Sequence, residues 1–134
     1  MRFIFLYILI LFTAACGVAA PDALLFDAPW HVEQLNGVAV DSTGARAFIL
    51  LRSGDGRTVS GNTGCNALSG TFTLNKDQLT FSDMAVTRRA CFGKNVEQLF
   101  LDALARITHY RLVNGKLIFT DGSGEVAVFY RQAQ

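Results

Sequence analysis

The chain has 134 residues, of which 51% are hydrophobic and 17% charged, and its formal net charge is +1. This length allows one domain with its own hydrophobic core. The basic side chains form no long run or stripe, so the composition argues against nucleic-acid binding, which draws much of its affinity from phosphate neutralisation.

The N-terminus has the pattern of an export signal. Met1 and Arg2 give a positive start, and an unbroken apolar run follows from Phe3 to Phe12. A membrane-spanning helix needs about 20 apolar residues, whereas the core of a signal peptide needs roughly 7–15. We therefore predict that residues 1–15 are a signal peptide and that the protein is exported.

Small residues lead from the apolar run into a cysteine, in the order TAAC ending at Cys16. This order resembles the lipobox of bacterial lipoproteins, in which the cysteine carries the lipid and begins the mature chain. The resemblance predicts lipidation of Cys16, a tether over residues 16–29 and a position on the periplasmic side of the envelope. Gly17 stands where Asp is the usual inner-membrane retention signal, so we expect the outer membrane. An ordinary cleaved signal peptide is the alternative.

Short strands separated by turns follow the tether. Residues 30–35 are the first predicted strand, and residues 47–51 form a continuous apolar run of the kind found in buried strands. Turn residues at 53–56 lead into a return strand over residues 58–60. These two strands are predicted to pair as a hairpin.

Alternating hydrophobicity and turn residues predict two further hairpins and a last strand. These strands cover residues 71–74, 78–81, 110–113, 116–120 and 125–130. The pair Asn114 and Gly115 between two of them is the preferred sequence of a type I′ turn. The chain is therefore predicted to be mainly β.

One amphipathic helix interrupts the strands. Its apolar residues recur at the spacing of one helical face, and they are Val96, Leu99, Phe100, Ala103, Leu104 and Ile107. Asn95 and Gln98 have the spacing of a capping box at its first turn. We interpret the apolar face as core packing.

Two cysteines remain besides Cys16, namely Cys65 and Cys91. In an exported protein, one such pair predicts a disulfide.

A thiol nucleophile would need a base, and His31 and His109 each stand alone among strand residues. Zinc would need a pattern such as CxxC, which is absent. We therefore predict a bridge and no catalytic residue, metal ligand or cofactor. Cations beside the second cysteine leave a reactive thiolate as an alternative.

Glycines and an asparagine surround the first cysteine of this pair, and they are Gly61, Gly64, Asn66 and Gly70. Glycine tolerates positive φ and close backbone approach, which suits a tight loop between strands. Asn66 tolerates left-handed backbone and can bond its own backbone. We interpret the motif as structural. The alternative is that the loop forms the lip of a ligand-binding concavity.

The order of these residues, G-x-x-G-C-N-x-x-x-G-x-[YF], resembles the signature of the META domain, the family of HslJ-like bacterial lipoproteins. Thr87 begins a second similar element, T-x-x-A-C, which ends at Cys91. Glu97, Phe100 and Leu104 match the helix pattern E-x-x-F-x-x-x-L behind it. The resemblance covers residues 30–131.

This resemblance implies a small curled antiparallel sheet, barrel-like, with one packed α-helix. Members are associated with heat shock, antibiotic tolerance or parasite virulence, and no enzymatic activity is established for the family. We therefore expect a non-enzymatic, membrane-anchored envelope lipoprotein. Its expected role is in envelope stress or antibiotic tolerance, through binding an envelope protein or a small molecule.

Two other functions compete with this one. A lipocalin-like carrier would hold an apolar ligand inside the barrel, although the abundant Phe and Leu favour a filled interior. An envelope enzyme would need acids such as Asp83 and Glu97 to converge with His109.

Overall fold

The computed structural model describes residues 21–41 and 47–132. The predicted signal peptide over residues 1–15 and the predicted lipid site Cys16 lie outside this range. In chain order the elements are a 3-10 helix (Pro21–Leu25), β1 (Pro29–Leu35), β2 (Val38–Ala39), β3 (Phe48–Arg52), β4 (Thr58–Asn62), β5 (Ala67–Asn75), β6 (Gln78–Val86), α1 (Glu97–Arg106), β7 (His109–Val113), β8 (Lys116–Asp121) and β9 (Gly124–Tyr130).

The strands form one antiparallel sheet that closes on itself. Neighbours pair in the order β2-β1-β3-β4-β5-β6-β7-β8-β9, and β1 also pairs with β9. The predicted mainly β, barrel-like fold with one helix is therefore confirmed. The pairing of neighbouring strands is least extensive between β6 and β7, which share a single ladder pair, Gln78 with His109. The connection between these two strands carries α1.

Two asparagine–glycine turns shape the hairpins. Asn114 and Gly115 have φ of 51° and 75°, as the predicted type I′ turn requires. Asn36 and Gly37 have φ of 49° and 78° and form the same kind of turn between β1 and β2. The second turn was not predicted, although its sequence gives the same signal, because β2 is only two residues long.

The β5–β6 hairpin is longer than predicted, and two motif glycines predicted in a tight loop lie inside strands instead, Gly61 in β4 and Gly70 in β5. A β-carbon on Gly61 would lie 2.1 Å from the Phe48 carbonyl oxygen. A β-carbon on Gly70 would lie 2.4 Å from Met84 Sδ and 3.0 Å from the Ser82 carbonyl oxygen. Both positions therefore need glycine because neighbouring strands approach closely.

Aromatic side chains fill the barrel interior from end to end. Their ring centroids lie 5.4–6.4 Å apart in a continuous series. The series runs through Phe26, Phe72, Phe81, Phe119, Phe129 and Phe100. Such contacts stabilise beyond the area that they bury. The interior along these strands is a packed core.

The start of α1 differs from the prediction. Val96 occupies the cap position, and Asn95 accepts a hydrogen bond from the Glu97 N–H at 3.2 Å. Gln98 donates to Asp102 at 2.8 Å instead of reaching back to Asn95. The predicted capping box is therefore wrong: Asn95 lies one residue before the cap, so Gln98 is not at the N3 position. Among the described helices, none is long and apolar enough to cross a membrane.

The helix α1 closes one end of the barrel. At its C-terminus, Arg106 donates to Asn36 at 3.0 Å and to Asp121 at 2.6 Å, in the β1–β2 and β8–β9 turns. At its N-terminus, Glu97 contacts the β4–β5 turn. The side chains buried from this helix are Phe100, Ala103 and Leu104. The predicted core face is therefore confirmed.

The 3-10 helix closes the opposite end. Its Leu25 is fully buried, and the Trp30 indole N–H donates to the Leu25 carbonyl at 3.0 Å. The Tyr110 hydroxyl donates to Asp22 at 2.6 Å, and burial together with this bond raises the pKa of Tyr110. The Asp27 N–H donates to Leu51 at the end of β3 remote from the β4–β5 turn. Part of the segment expected to be a tether is thus packed on the barrel.

Arg131 holds this 3-10 helix against the barrel, and replacing Arg131 tests the contact. Its guanidinium lies 4.4 Å from the centre of the Trp30 ring and donates to the Leu24 carbonyl. We expect Arg131→Ala to lower the free energy of unfolding by about 1–2 kcal/mol, measured by urea titration. Arg52→Ala removes an exposed arginine at the end of β3 and should change it by less than about 0.5 kcal/mol. Equal losses would contradict the assigned contact.

Candidate functional site

The cysteine motif forms a tight turn between β4 and β5, over residues 63–66. Gly64 has φ of 95°, and its N–H donates to the Asn62 side chain at 2.8 Å. The Thr63 N–H donates to the Asn66 carbonyl at 2.8 Å, and the Asn66 N–H donates to the Thr63 hydroxyl at 2.9 Å. These bonds close the turn around Cys65.

The predicted disulfide is present. Cys65 bonds to Cys91, with the two Cα atoms 5.8 Å apart. This distance lies within the ordinary range for disulfides. The bridge joins the β4–β5 turn to residues 87–96, which connect β6 to α1 and are called the linking segment below.

The side chain of Asn66 fastens the same two segments. It is 3% exposed. Its carbonyl oxygen accepts from the Arg89 N–H at 2.7 Å and from the Thr87 hydroxyl at 3.0 Å. Its amide donates to Glu97 at 2.9 Å and to the Arg89 carbonyl at 3.2 Å. The predicted role of Asn66, a left-handed residue bonding its own backbone, is wrong because its side chain reaches residues more than 20 positions away.

Glu97 links this network to the first turn of α1. Its carboxylate accepts from the Thr63 hydroxyl at 2.5 Å as well as from Asn66. The bond from Thr63, followed by that from Asn66, lowers the pKa of Glu97. Among the described residues, no Lys or Arg lies within ion-pair distance of this carboxylate. Neutral donors alone therefore hold the charge.

The lowered pKa makes part of the stability depend on pH. A carboxyl whose pKa is lower in the folded state stabilises the protein above its ordinary pKa of 4.5, and this is lost as pH falls through the folded pKa. We expect the free energy of unfolding to fall between about pH 5 and pH 3, and to fall less in Glu97→Gln. Urea titrations across this range measure the effect. Asp55→Asn, in an exposed turn, serves as the control variant, and an unchanged slope in Glu97→Gln would contradict the assignment.

The groups needed for the enzyme hypothesis do not meet. Asp83 accepts from the Thr71 hydroxyl at 3.1 Å, on the β5–β6 hairpin. His109 bonds through Nδ1 to Thr108 at 2.9 Å, at the start of β7. Glu97 is held at the β4–β5 turn. All of these residues are described, and each has its own local partners, so the structure forms no acid–base site from them.

Within the part of the chain that the structure describes, the residues with metal-ligand chemistry that lie together are Cys65, Cys91 and Glu97, whose ligand atoms are within 4.8 Å of one another. Both sulfurs are joined in the disulfide. A disulfide supplies no thiolate, which is the form that binds zinc. In the oxidised protein these three residues therefore connect the β4–β5 turn to the linking segment and to α1.

The linking segment also carries an exposed hydrophobic side chain that the sequence analysis missed. Phe92 is 93% exposed, and Gly93 after it has φ of 77°, which turns the chain. Arg88, Arg89 and Lys94 lie within four residues of it. The sequence does show this phenylalanine between basic residues, at a position that fits neither a helical nor a strand periodicity.

A surface cleft of about 610 Å³ lies beside the disulfide. We call it the cationic cleft. Its lining includes Gly64, Cys65, Arg89, Cys91, Phe92 and Lys94. Of the motif residues, Gly64 lines the cleft, Asn66 bonds to Thr87 and to the backbone of the lining residue Arg89, and Gly61 and Gly70 lie in the neighbouring strands. The motif therefore supports a surface feature as well as the fold.

Residues 23–134 match the model of the META domain. The chain belongs to the META domain family. The match includes the motif turn, the linking segment and α1, and the family is not known as enzymatic. No curated protein matches the chain.

Two structures determined by NMR are similar to this META domain. A protein from Burkholderia xenovorans is 27% identical, with a TM-score of 0.65, and the match covers 86% of this chain and 90% of that one. A second protein is 22% identical, with a TM-score of 0.62, over 82% of this chain and 93% of that one. The second likeness shows the fold alone.

Proposed function

We propose that this META domain protein is a non-enzymatic, lipid-anchored protein of the cell envelope that binds a partner at the α1 end of its barrel. The observation that carries the proposal is the position of the cationic cleft. The cleft lies at the α1 end, whereas the predicted tether from Cys16 leads to the 3-10 helix at the opposite end. A lipid on that tether would hold the 3-10 helix near the membrane and turn the cleft toward the periplasm.

The rigidity of the linking segment supports binding. The disulfide and the Asn66 bonds hold the backbone on which Phe92 projects. A segment that is ordered before association loses less conformational entropy on binding. Exposed aromatic side chains are also frequent energetic anchors of protein interfaces. An exposed phenylalanine on a fixed segment is therefore suited to contact a partner.

The filled interior argues against the carrier hypothesis. An apolar ligand inside the barrel would have to displace rings such as Phe119 and Phe129, which are fully buried and 5.4 Å apart. Protein interiors packed in this way resist insertion of further atoms. We therefore place binding on the surface. The resemblance to HslJ-like lipoproteins supports a role in envelope stress or antibiotic tolerance.

Photo-crosslinking tests the binding surface. A photoreactive phenylalanine analogue at Phe92 should form a discrete crosslinked product in intact cells. The same analogue at Val113, an exposed residue of the β7–β8 hairpin at the other end, serves as the control. We expect the product at position 92 alone. Equal products at both positions, or none at either, would contradict the proposal.

Lipidation gives a separate prediction about anchoring. We expect Cys16→Ser to abolish incorporation of a palmitate analogue and to release the protein from the membrane fraction into the periplasm, because the thiol that accepts the lipid is gone. Fractionation and labelling of wild type and variant measure both effects. Equal labelling of the two proteins would refute the lipid anchor while leaving the crosslinking result to stand on its own.

A further inference from the structure

The cationic cleft combines positive charge with apolar surface. Among the described residues, no carboxylate lies within ion-pair distance of Arg88, Arg89 or Lys94. Elsewhere on the barrel, three described cations pair with acids, namely Arg106, Arg111 and Lys116, and the remaining described cations do not. The charges at the cleft are therefore available to an external anion.

The arrangement at the cleft suits a carboxylate beside an apolar group. One guanidinium nitrogen of Arg89 donates to the Cys65 carbonyl at 2.8 Å, which positions the group and leaves its other N–H donors for a ligand. Lys94 also lines the cleft and carries a second positive charge. Phe92 supplies the apolar wall, and its 93% exposure means that a ligand covering it would remove a whole ring from water.

We propose that the cationic cleft binds an acidic peptide segment of a partner protein, with a carboxylate at Arg89 and Lys94 and an apolar side chain against Phe92. This inference rests on the proposed partner-binding function and adds the chemistry of the partner. Opposite charge speeds association and selects the partner, while the Phe92 ring, which the partner would bury on binding, supplies affinity.

Two other classes of ligand, membrane headgroups and sugar polymers, fit the geometry of the cleft less well. The headgroups of the anchoring membrane would lie beyond the 3-10 helix, at the opposite end of the barrel from Phe92. An uncharged sugar polymer would make no use of the positive charges of the cleft, and the described lining contains no carboxylate to accept from its hydroxyls. The nearby Glu97 oxygens already accept from Thr63 and Asn66. Positive charge beside an exposed ring favours an acidic peptide.

Fluorescence anisotropy tests this with the full mature protein purified in detergent. The probe is a short labelled peptide in which glutamates flank a leucine, and the comparison probe carries lysines in place of the glutamates. We expect the acidic probe to bind, and Phe92→Ser or Lys94→Glu to weaken it about tenfold or more. The matched controls Val113→Ser and Lys76→Glu, both at the other end, should bind as wild type does. Rising salt should weaken binding.

The inference is overturned if the acidic probe does not bind, if both probes bind equally, or if the cleft variants match their controls. It is also overturned if Phe92→Ser abolishes binding to anionic lipid vesicles or isolated cell-wall sacculi and leaves the peptide unaffected. Because the assay uses protein in detergent, a failure of lipid anchoring does not affect it. A crosslinked partner at position 92 that survives Lys94→Glu would refute the acidic chemistry alone.

Discussion

Replacing both Cys65 and Cys91 with alanine should lower the free energy of unfolding by about 3–4 kcal/mol. The bridge joins residues 26 positions apart, and the chain entropy that it removes from the unfolded state corresponds to about this amount. A small domain has a total stability of about 5–15 kcal/mol, so the change is a large share. Urea titrations of wild type and the double variant measure it.

Reduction provides the control for this disulfide. Wild type unfolded in the presence of a dithiol reductant should show the stability of the double alanine variant, since both lack the same constraint. In a Cys16→Ser background, protein taken from the periplasm should show no reactive thiol after denaturation without reductant. Two reactive thiols in that sample would show that the bridge does not form in the cell.

Replacing Asn66 with alanine should lower the free energy of unfolding by about 3 kcal/mol, because one truncation removes several buried hydrogen bonds. The lost partners are the Arg89 backbone, the Thr87 hydroxyl and the Glu97 carboxylate. Part of that network faces solvent, which limits the loss. Asn75→Ala, at the exposed β5–β6 turn, should change stability by less than about 0.5 kcal/mol.

A double-mutant cycle separates the side chain from the disulfide. Asn66 and the bridge hold the same two segments, so their removal should be non-additive. We expect Asn66→Ala to cost less when Cys65 and Cys91 are already alanine, because the linking segment is then mobile and its other bonds are weakened. Additive losses would show that the Asn66 side chain and the bridge act independently, and a loss for Asn66→Ala equal to that of Asn75→Ala would show that the network contributes little.

Elements governed by local sequence could be predicted well. Alternation and turn residues located every strand except β2, and the apolar period located α1 to within two residues at its start. The disulfide followed from the predicted export signal and from the count of cysteines, because only two thiols remained for one bridge once Cys16 was assigned to the lipid. In each case the deciding signal lay within a few neighbouring residues or in the composition of the whole chain.

The site depended on contacts that no local pattern encodes. Asn66 looked like a turn residue, yet its amide contacts Glu97, which lies 31 positions later. Phe92 belongs to no helix or strand, so its exposure follows from the barrel that leaves it outside. The failed capping box has the same origin: Glu97 is drawn to Thr63 and Asn66, and the helix begins where those bonds place it.

The pairing of β1 with β9 has a consequence for when this domain can fold. The ladder joins His31 to Tyr130, so β1 cannot complete its pairing until β9 is available. A chain that crosses the inner membrane from its N-terminus delivers β9 at the end of translocation. Until then β1 has an open edge, and open strand edges favour aggregation. In the export that we propose, barrel closure therefore comes after translocation, and the partly exported chain would be the stage at which periplasmic chaperones matter most.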